Sequence, residues 1–270
     1  MKKVIWILAA ILLVSSVFFM GCQRSHDGIT IRPGVLLVGV DIGYPPMEYF
    51  DTDGVTPIGF DIDMTKALAE RMNLRAEFVN TDWEGIFDGV TTNRYDAIIS
   101  SVTITPARLE VHNFSKPYIA NTLAMVLLRD SNVTARIPEE LTGLDVAFQR
   151  ATTADFFMEE LVARTGLNYT PRRYDQVIRC FDELRLGRVH AIVTDLLVAY
   201  DYIAATDSPF EIVWRSDEPE VFGICMRKGN DALTEAFDKA LEELFDDGTM
   251  LRISYDIFGM DMVTQARQQW

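Results

Sequence analysis

Three observations predict an α/β protein of two lobes. From residue 35 onward, short apolar runs alternate with segments of helical period. The alternation comes as two successive series, and strands that alternate with helices imply a mostly parallel sheet in each. The side chains with the strongest chemistry follow apolar runs, at the carboxyl ends of strands where open α/β sheets bind ligands.

The first 21 residues read as a processing segment. Met1-Lys-Lys precedes an apolar run from Val4 to Met20 and then Gly21-Cys22. A charged start, an apolar stretch and a small residue before the cut make an export signal. Cys22 directly after Gly21 adds a bacterial lipoprotein mark, with cleavage before the cysteine and lipid on its sulfur. The competing reading is an uncleaved anchor, since the run approaches the length of a membrane span. Either reading puts the folded part outside the cytoplasm. Residues 22–33 are polar and without periodicity, which suits a tether. No later run is long enough to cross a membrane.

Residues 34–120 are expected to begin the first lobe, with strands at 35–40, 76–79 and 97–100 and helices at 62–72 and 83–91. Asp61 or Asp63 can cap the start of the first helix, and both suit its positive end, with no ligand role. Residues 121–220 supply the second lobe, with strands at 123–128, 145–148 and 191–193 and helices at 153–164 and 174–186. Gly187 is the expected stop of the latter. Residues 221–262 return to the first lobe through a strand at 222–226 and a helix at 231–244. Residues 263–270 read as a C-terminal tail.

The net charge of −15, with scattered positive residues, argues against nucleic acid as a partner and against adhesion to anionic lipid. Cys180 on a helical segment and Cys225 in an apolar strand read as two buried thiols rather than a disulfide. His26, His112 and His190 are too dispersed for metal-ligand spacing, so no metal site is expected. The N-x-Thr sites at Asn132 and Asn168 read as chance matches in a bacterial protein.

Two strand ends carry the chemistry. Ile99-Ser-Ser-Val-Thr-Ile-Thr-Pro-Ala-Arg108 offers hydroxyls and a guanidinium, and Val193-Thr-Asp195 offers a carboxylate. The first set suits a carboxylate and the second an ammonium, the two ends of a free α-amino acid. Tyr44, followed by two prolines, stands in a stiff loop that suits a pocket wall. Read alone, that loop is a rigid connector. Trp83 opens a helix and is either a core residue or a platform for a ligand. Ala151-Thr-Thr153 begins a helix, where Thr152 and Thr153 offer either an anion site or an ordinary N-cap.

These residues, in this order, resemble a known family. Val38-Gly-Val-Asp-Ile-Gly-Tyr-Pro-Pro-Met-Glu48, Gly59-Phe-Asp-Ile-Asp63 and the Ser-Thr-Arg run, followed by Phe114-Ser-Lys-Pro-Tyr118, carry part of the resemblance. Gln149 with Ala151-Thr-Thr153, and Val193-Thr-Asp195, carry the rest. Together they resemble the amino-acid-binding proteins of bacterial ABC importers, extracellular solute-binding protein family three, from about residue 35 to 259. The resemblance implies a type II periplasmic-binding (Venus-flytrap) fold with the ligand cleft between the lobes. It implies that Arg108, helped by Thr103 and Thr153, pairs with an α-carboxylate. Asp195 would hold the α-ammonium, with acceptors near Ser100 and Ser101. Tyr44 and Trp83 would enclose the ligand side chain, and Asp41 would reach its far end. The family's usual glycine before Thr-Thr is Ala151 here. A lobe-one disulfide of some relatives is absent, since no cysteine lies between Cys22 and Cys180.

The expected function is a lipid-anchored receptor that passes a polar L-amino acid, a cationic one ahead of a neutral one, to an ABC permease, acting as a monomer without cofactor or catalysis. Arginine or lysine is expected first, then glutamine or histidine. One alternative is a cyclohexadienyl (prephenate or arogenate) dehydratase on the same fold, which would need Asp195 as a general acid. The other is an amino-acid-sensing surface lipoprotein, which would need a signalling partner.

Overall fold

The computed structural model describes residues 28–270, so the expected export signal, Cys22 and the start of the expected tether lie outside the described residues. The first lobe opens with β1 (Val35–Val40), β2 (Tyr49–Phe50), β3 (Pro57–Ile58), α1 (Phe60–Arg71) and β4 (Arg75–Asn80). It continues through α2 (Trp83–Thr91), β5 (Ala97–Ile98), α3 (Pro106–Val111) and β6 (His112–Phe114). β7 (Ile119–Asn121) leads out to the second lobe. That lobe holds β8 (Leu123–Leu128), β9 (Asp145–Gln149), α4 (Thr153–Thr165) and β10 (Thr170–Tyr174), then α5 (Val177–Arg185), β11 (Ala191–Asp195), α6 (Leu196–Ala204) and β12 (Phe210–Arg215). β13 (Glu220–Phe222) returns beside β7, and β14 (Cys225–Arg227), α7 (Asp231–Asp246), α8 (Thr249–Phe258) and α9 (Thr264–Arg267) complete lobe one.

Each lobe is a five-stranded sheet with apolar clusters on both faces. The orders are β4-β1-β5-β14-β6 in lobe one and β10-β9-β11-β8-β12 in lobe two. In lobe one, α1, α7 and α8 cover one face and α2 the other. In lobe two, α4 covers one face, with α5 and α6 on the other. β1 pairs in parallel with β4 and β5, and β9 with β10 and β11.

The sheets are mixed, not mostly parallel as expected. β14 runs antiparallel to β5 and β6, and β8 runs antiparallel to β11 and β12. Both strands enter their sheets directly from the crossing between lobes. Only a helical crossover enforces parallel pairing, and neither has one before it. The expected strand at 222–226 is two strands, because its first residue belongs to the crossing pair and its end to the lobe-one sheet.

Other differences have local causes. The edge strand β10, with Pro171, Arg172 and Arg173, is mostly exposed and polar, so no apolar run announced it. Its last residue, Tyr174, shortens the expected helix at 174–186 to α5. Asp61 and Asp63 do not cap α1. The loop at Tyr44–Glu48 folds against the helix start, where Pro46 O accepts from Phe60 N at 3.1 Å and Met47 O from Asp61 N at 2.9 Å. Backbone carbonyls thus satisfy the first free amides. Gly59 makes this approach feasible, since its φ is 121° and a Cβ there would fall 2.3 Å from Met47 O. Residues 263–270 pack against lobe one: Val263 and Ala266 are buried, and Trp270 Nε1 donates to Pro117 O at 2.9 Å. Cys180 and Cys225 are buried free thiols in different lobes.

Candidate ligand-binding cleft between the lobes

The two lobes face each other across a cleft that opens in part to solvent. Asp41, Tyr44, Glu48, Trp83, Ser100, Ser101, Thr103 and Arg108 face it from lobe one, and Gln149, Thr152, Thr153 and Asp195 from lobe two. All ten residues singled out in the sequence therefore line one cavity. They come from loops at the carboxyl ends of β1, β4, β5, β9 and β11, which the topology brings to facing edges of the two sheets.

Arg108 is aimed by its own short helix. Thr105 caps α3 by accepting from Arg108 N at 3.2 Å, and Pro106 occupies the first turn, where a missing N–H costs nothing. The Arg108 guanidinium then donates to Thr103 O at 2.9 Å and lies over the rings of Trp83 and Phe87, 5.4 and 5.1 Å from their centroids. Burial pushes its pKa down, but a guanidinium keeps its proton throughout the ordinary pH range. Trp83 therefore supports the cation with its face, while its Nε1 donates to Ala151 O in lobe two at 3.0 Å.

Asp195 stands opposite, at the N-terminal position of α6, without spending its carboxylate on a cap. Tyr44 OH reaches it from lobe one at 2.5 Å, and Asn121 Nδ2 donates to it at 2.8 Å. Burial pushes the Asp195 pKa up to about 6, partly offset by those two bonds and by the Arg108 charge. The same Asn121 nitrogen bonds Glu220 at 3.2 Å, whose pKa burial and the Asp195 charge push up to about 7. Thr152 is the N-cap of α4 and accepts from Asp155 N, so the ordinary-cap reading holds for it, while Thr153 begins the helix at the cavity wall.

At the far end, Asp41 accepts from Gln149 Nε2 across the cleft at 2.8 Å. Burial pushes its pKa up to about 6. Arg150, partly exposed at the rim, reaches Glu84 of lobe one at 3.5 Å. The cleft thus carries several acids raised by burial against one guanidinium, an arrangement that an added cation would relieve.

Residues 36–260 match the family described as bacterial extracellular solute-binding proteins, family 3. The chain belongs to that family. Among its relatives is the L-cystine-binding protein TcyJ of Escherichia coli strain K12, 28% identical over 229 residues that cover 85% of this chain and 84% of the relative. Similar solved structures include an ancestral arginine-binding protein bound to arginine, 34% identical with a TM-score of 0.79, covering 83% of this chain and 98% of that one. The arginine-, lysine-, histidine-binding protein ArtJ of Geobacillus stearothermophilus is 26% identical with a TM-score of 0.79, covering 87% and 100%.

For a family 3 solute-binding protein, the sequence-based site was incomplete in two ways. Gln149 and Glu48 line the cavity without having been assigned to it. Gln149 is the last residue of β9, the same kind of position as Asp195 at the end of β11, and that parallel was available as a signal. Glu48, Asn121 and Glu220 gave none, because their role depends on partners distant in sequence. Ala151, at the family's usual glycine, takes φ 58°, a left-handed conformation that a side chain makes costly.

Proposed function

We propose that this protein is a lipid-anchored extracytoplasmic receptor that closes on a polar, cationic L-amino acid and delivers it to an ABC permease. The observation that carries the reading is the facing pair, Arg108 on lobe one and Asp195 on lobe two, lining one cleft between the lobes. The α-carboxylate pairs with Arg108, Thr103 and Thr153. The α-ammonium pairs with Asp195, with acceptors near Ser100 and Ser101. Tyr44 and Trp83 flank the side chain, Asp41 meets its distal charge, and Thr152 closes the wall. Neither lobe alone holds both ends of the zwitterion, so the ligand favours the closed state through contacts that the open state lacks. A micromolar dissociation constant, about −8 kcal/mol, is ordinary for such a site.

The surplus of buried acids supports a cationic side chain, as do relatives named for arginine, lysine and histidine. Arginine or lysine is the first expectation, then glutamine or histidine. Gly21-Cys22 supports lipid attachment at Cys22, with the receptor acting as a monomer. A dehydratase would need Asp195 poised as a general acid. Its bonds to Tyr44 and Asn121 suit an ammonium acceptor instead, which favours the receptor.

A thermal-shift screen of the common amino acids tests this reading, because a ligand that binds only the folded state raises the melting temperature. Competition of arginine and lysine against glutamine, leucine and glutamate then ranks them. Tightest binding of leucine or glutamate would overturn the cationic assignment, and no response to any amino acid would overturn the receptor.

A further inference from the structure

Glu48 and Asp61 lie wholly buried in lobe one, thirteen positions apart in sequence but side by side in space. Glu48 Oε2 and Asp61 Oδ1 are each enclosed with no ordinary donor among the described residues. The two carboxyl groups lie within hydrogen-bond reach of one another, although as carboxylates neither offers a donor. A hydrogen bond between them therefore requires one shared proton.

The surroundings decide which group holds that proton. Asp61 Oδ2 accepts from Ser101 N at 2.7 Å and from Tyr118 OH at 3.0 Å. Asp61 also sits in the first turn of α1, where aligned amides favour an anion. Glu48 receives one bond, from Ser100 Oγ at 2.7 Å. The charged or titratable groups around it are Asp61, Asp41, Tyr44 and Tyr118, none of them a cation.

We propose that Glu48 carries the shared proton and donates it to an ionised Asp61, so that the cleft wall at Glu48 is a neutral acid and Asp61 is a positioning residue for the Ser100–Ser101 turn. Burial and the Asp61 charge both push the Glu48 pKa well above the usual carboxylate range, which agrees. The pair sets the geometry of cleft residues around it. Ser101 takes φ 52°, outside the conformations that serine prefers, and its amide is held there by Asp61. Ser100 has its hydroxyl proton committed to Glu48 while its oxygen accepts from Asp41 N at 3.0 Å. Asp41, Ser100 and Ser101 are thereby fixed relative to one another before any ligand arrives. A neutral Glu48 also leaves Asp41 and Asp195 as the anions offered to a ligand by the cavity wall.

Infrared spectroscopy of the ligand-free protein, with and without carboxyl-labelled glutamate, tests this independently of which ligand the cleft takes. At about pH 8.5, Asp41, Asp195 and Glu220 are ionised, so a remaining protonated-acid band reports the pair. The band is expected in the wild type, to shift with labelled glutamate, and to vanish in Glu48→Gln. It is also expected to vanish in Asp61→Asn, which keeps Glu48 but replaces its acceptor with an amide that donates to it. Amide exchange at Ser101 is expected to accelerate about tenfold or more in Asp61→Ala, which removes its acceptor, and to stay slow in Asp61→Asn, whose oxygen can still accept from Ser101 N, and in Glu48→Gln, whose amide can still donate to Asp61. Absence of the band in the wild type, or its survival in both Glu48→Gln and Asp61→Asn, would overturn the shared proton. Unchanged Ser101 exchange in Asp61→Ala would overturn the positioning role.

Discussion

Asp195→Asn separates what it costs to hold a carboxylate in the cleft from what the carboxylate does there. The Asp195 pKa is pushed up to about 6 from 3.8, with burial as the largest cause. An acid raised in this way binds its proton more tightly in the folded than in the unfolded chain. Stability therefore falls as pH rises from about 4 to about 6 and stays lower above that window. A shift of about two units corresponds to about 3 kcal/mol, and opening of the lobes relieves part of it, so about 1–3 kcal/mol is expected at neutral pH. Asparagine keeps the local bonds. Its oxygen accepts from Asn121, and its amide donates to the Tyr44 oxygen, which as a phenol can accept. The ligand-free variant should therefore be more stable than wild type by about 1–3 kcal/mol at about pH 7.5, with the difference vanishing near pH 4. Binding should go the other way. Loss of the partner of a buried ammonium costs about 2–5 kcal/mol, about thirtyfold or more in affinity. Urea unfolding at the two pH values, with calorimetry on the tightest amino acid of the screen, measures both. A variant less stable than wild type at neutral pH that still binds within about threefold would refute the reasoning.

Arg108→Ala should fold normally yet lose at least about thirtyfold in affinity, and Arg108→Lys should recover little, because an ammonium lacks the planar fork; near-wild-type calorimetry would show that no carboxylate sits there. Affinity for arginine should fall relative to glutamine as pH drops from about 7 to about 5, since Asp41 takes up a proton with a pKa of about 6 and no longer offers a charge. Asp41→Asn should flatten that ratio in competition titrations, and parallel profiles for both ligands in the wild type would place the distal charge elsewhere. Ala151→Gly should stabilise by about 0.5–1 kcal/mol in urea, because relief of the left-handed backbone outweighs the added freedom of the unfolded chain; destabilisation would mean that the Ala151 conformation carries no strain. Cys22→Ser, if its signal segment is still removed, should appear in the soluble fraction, whereas a processed variant that stays membrane-bound in salt must have another anchor.

The sequence by itself determined the α/β class, the two series of elements and the strand-end residues of the site, while the resemblance to family 3 binding proteins supplied the rest of the ten that line the cavity. The reason is that strand and helix periodicities are local, and that Ser100, Arg108, Thr153 and Asp195 each sit near the end of a run that can be read in isolation. Trp83 opens α2 at the expected residue because its helix needs no distant partner to be recognised. Tertiary structure decided whatever depends on which end meets which. β8 and β14 run antiparallel because the crossing delivers them without a helix. Asp61 reads as a cap until the Pro46 and Met47 carbonyls occupy the helix start and Ser101, forty positions away, claims its carboxylate. Asn121 becomes a bridge between Asp195 and Glu220 only because β7 and β13 cross the lobes side by side. Burial and charge are properties of assembled neighbours, so the raised acids of the cleft were decided by the fold, not by the local pattern around any one of them.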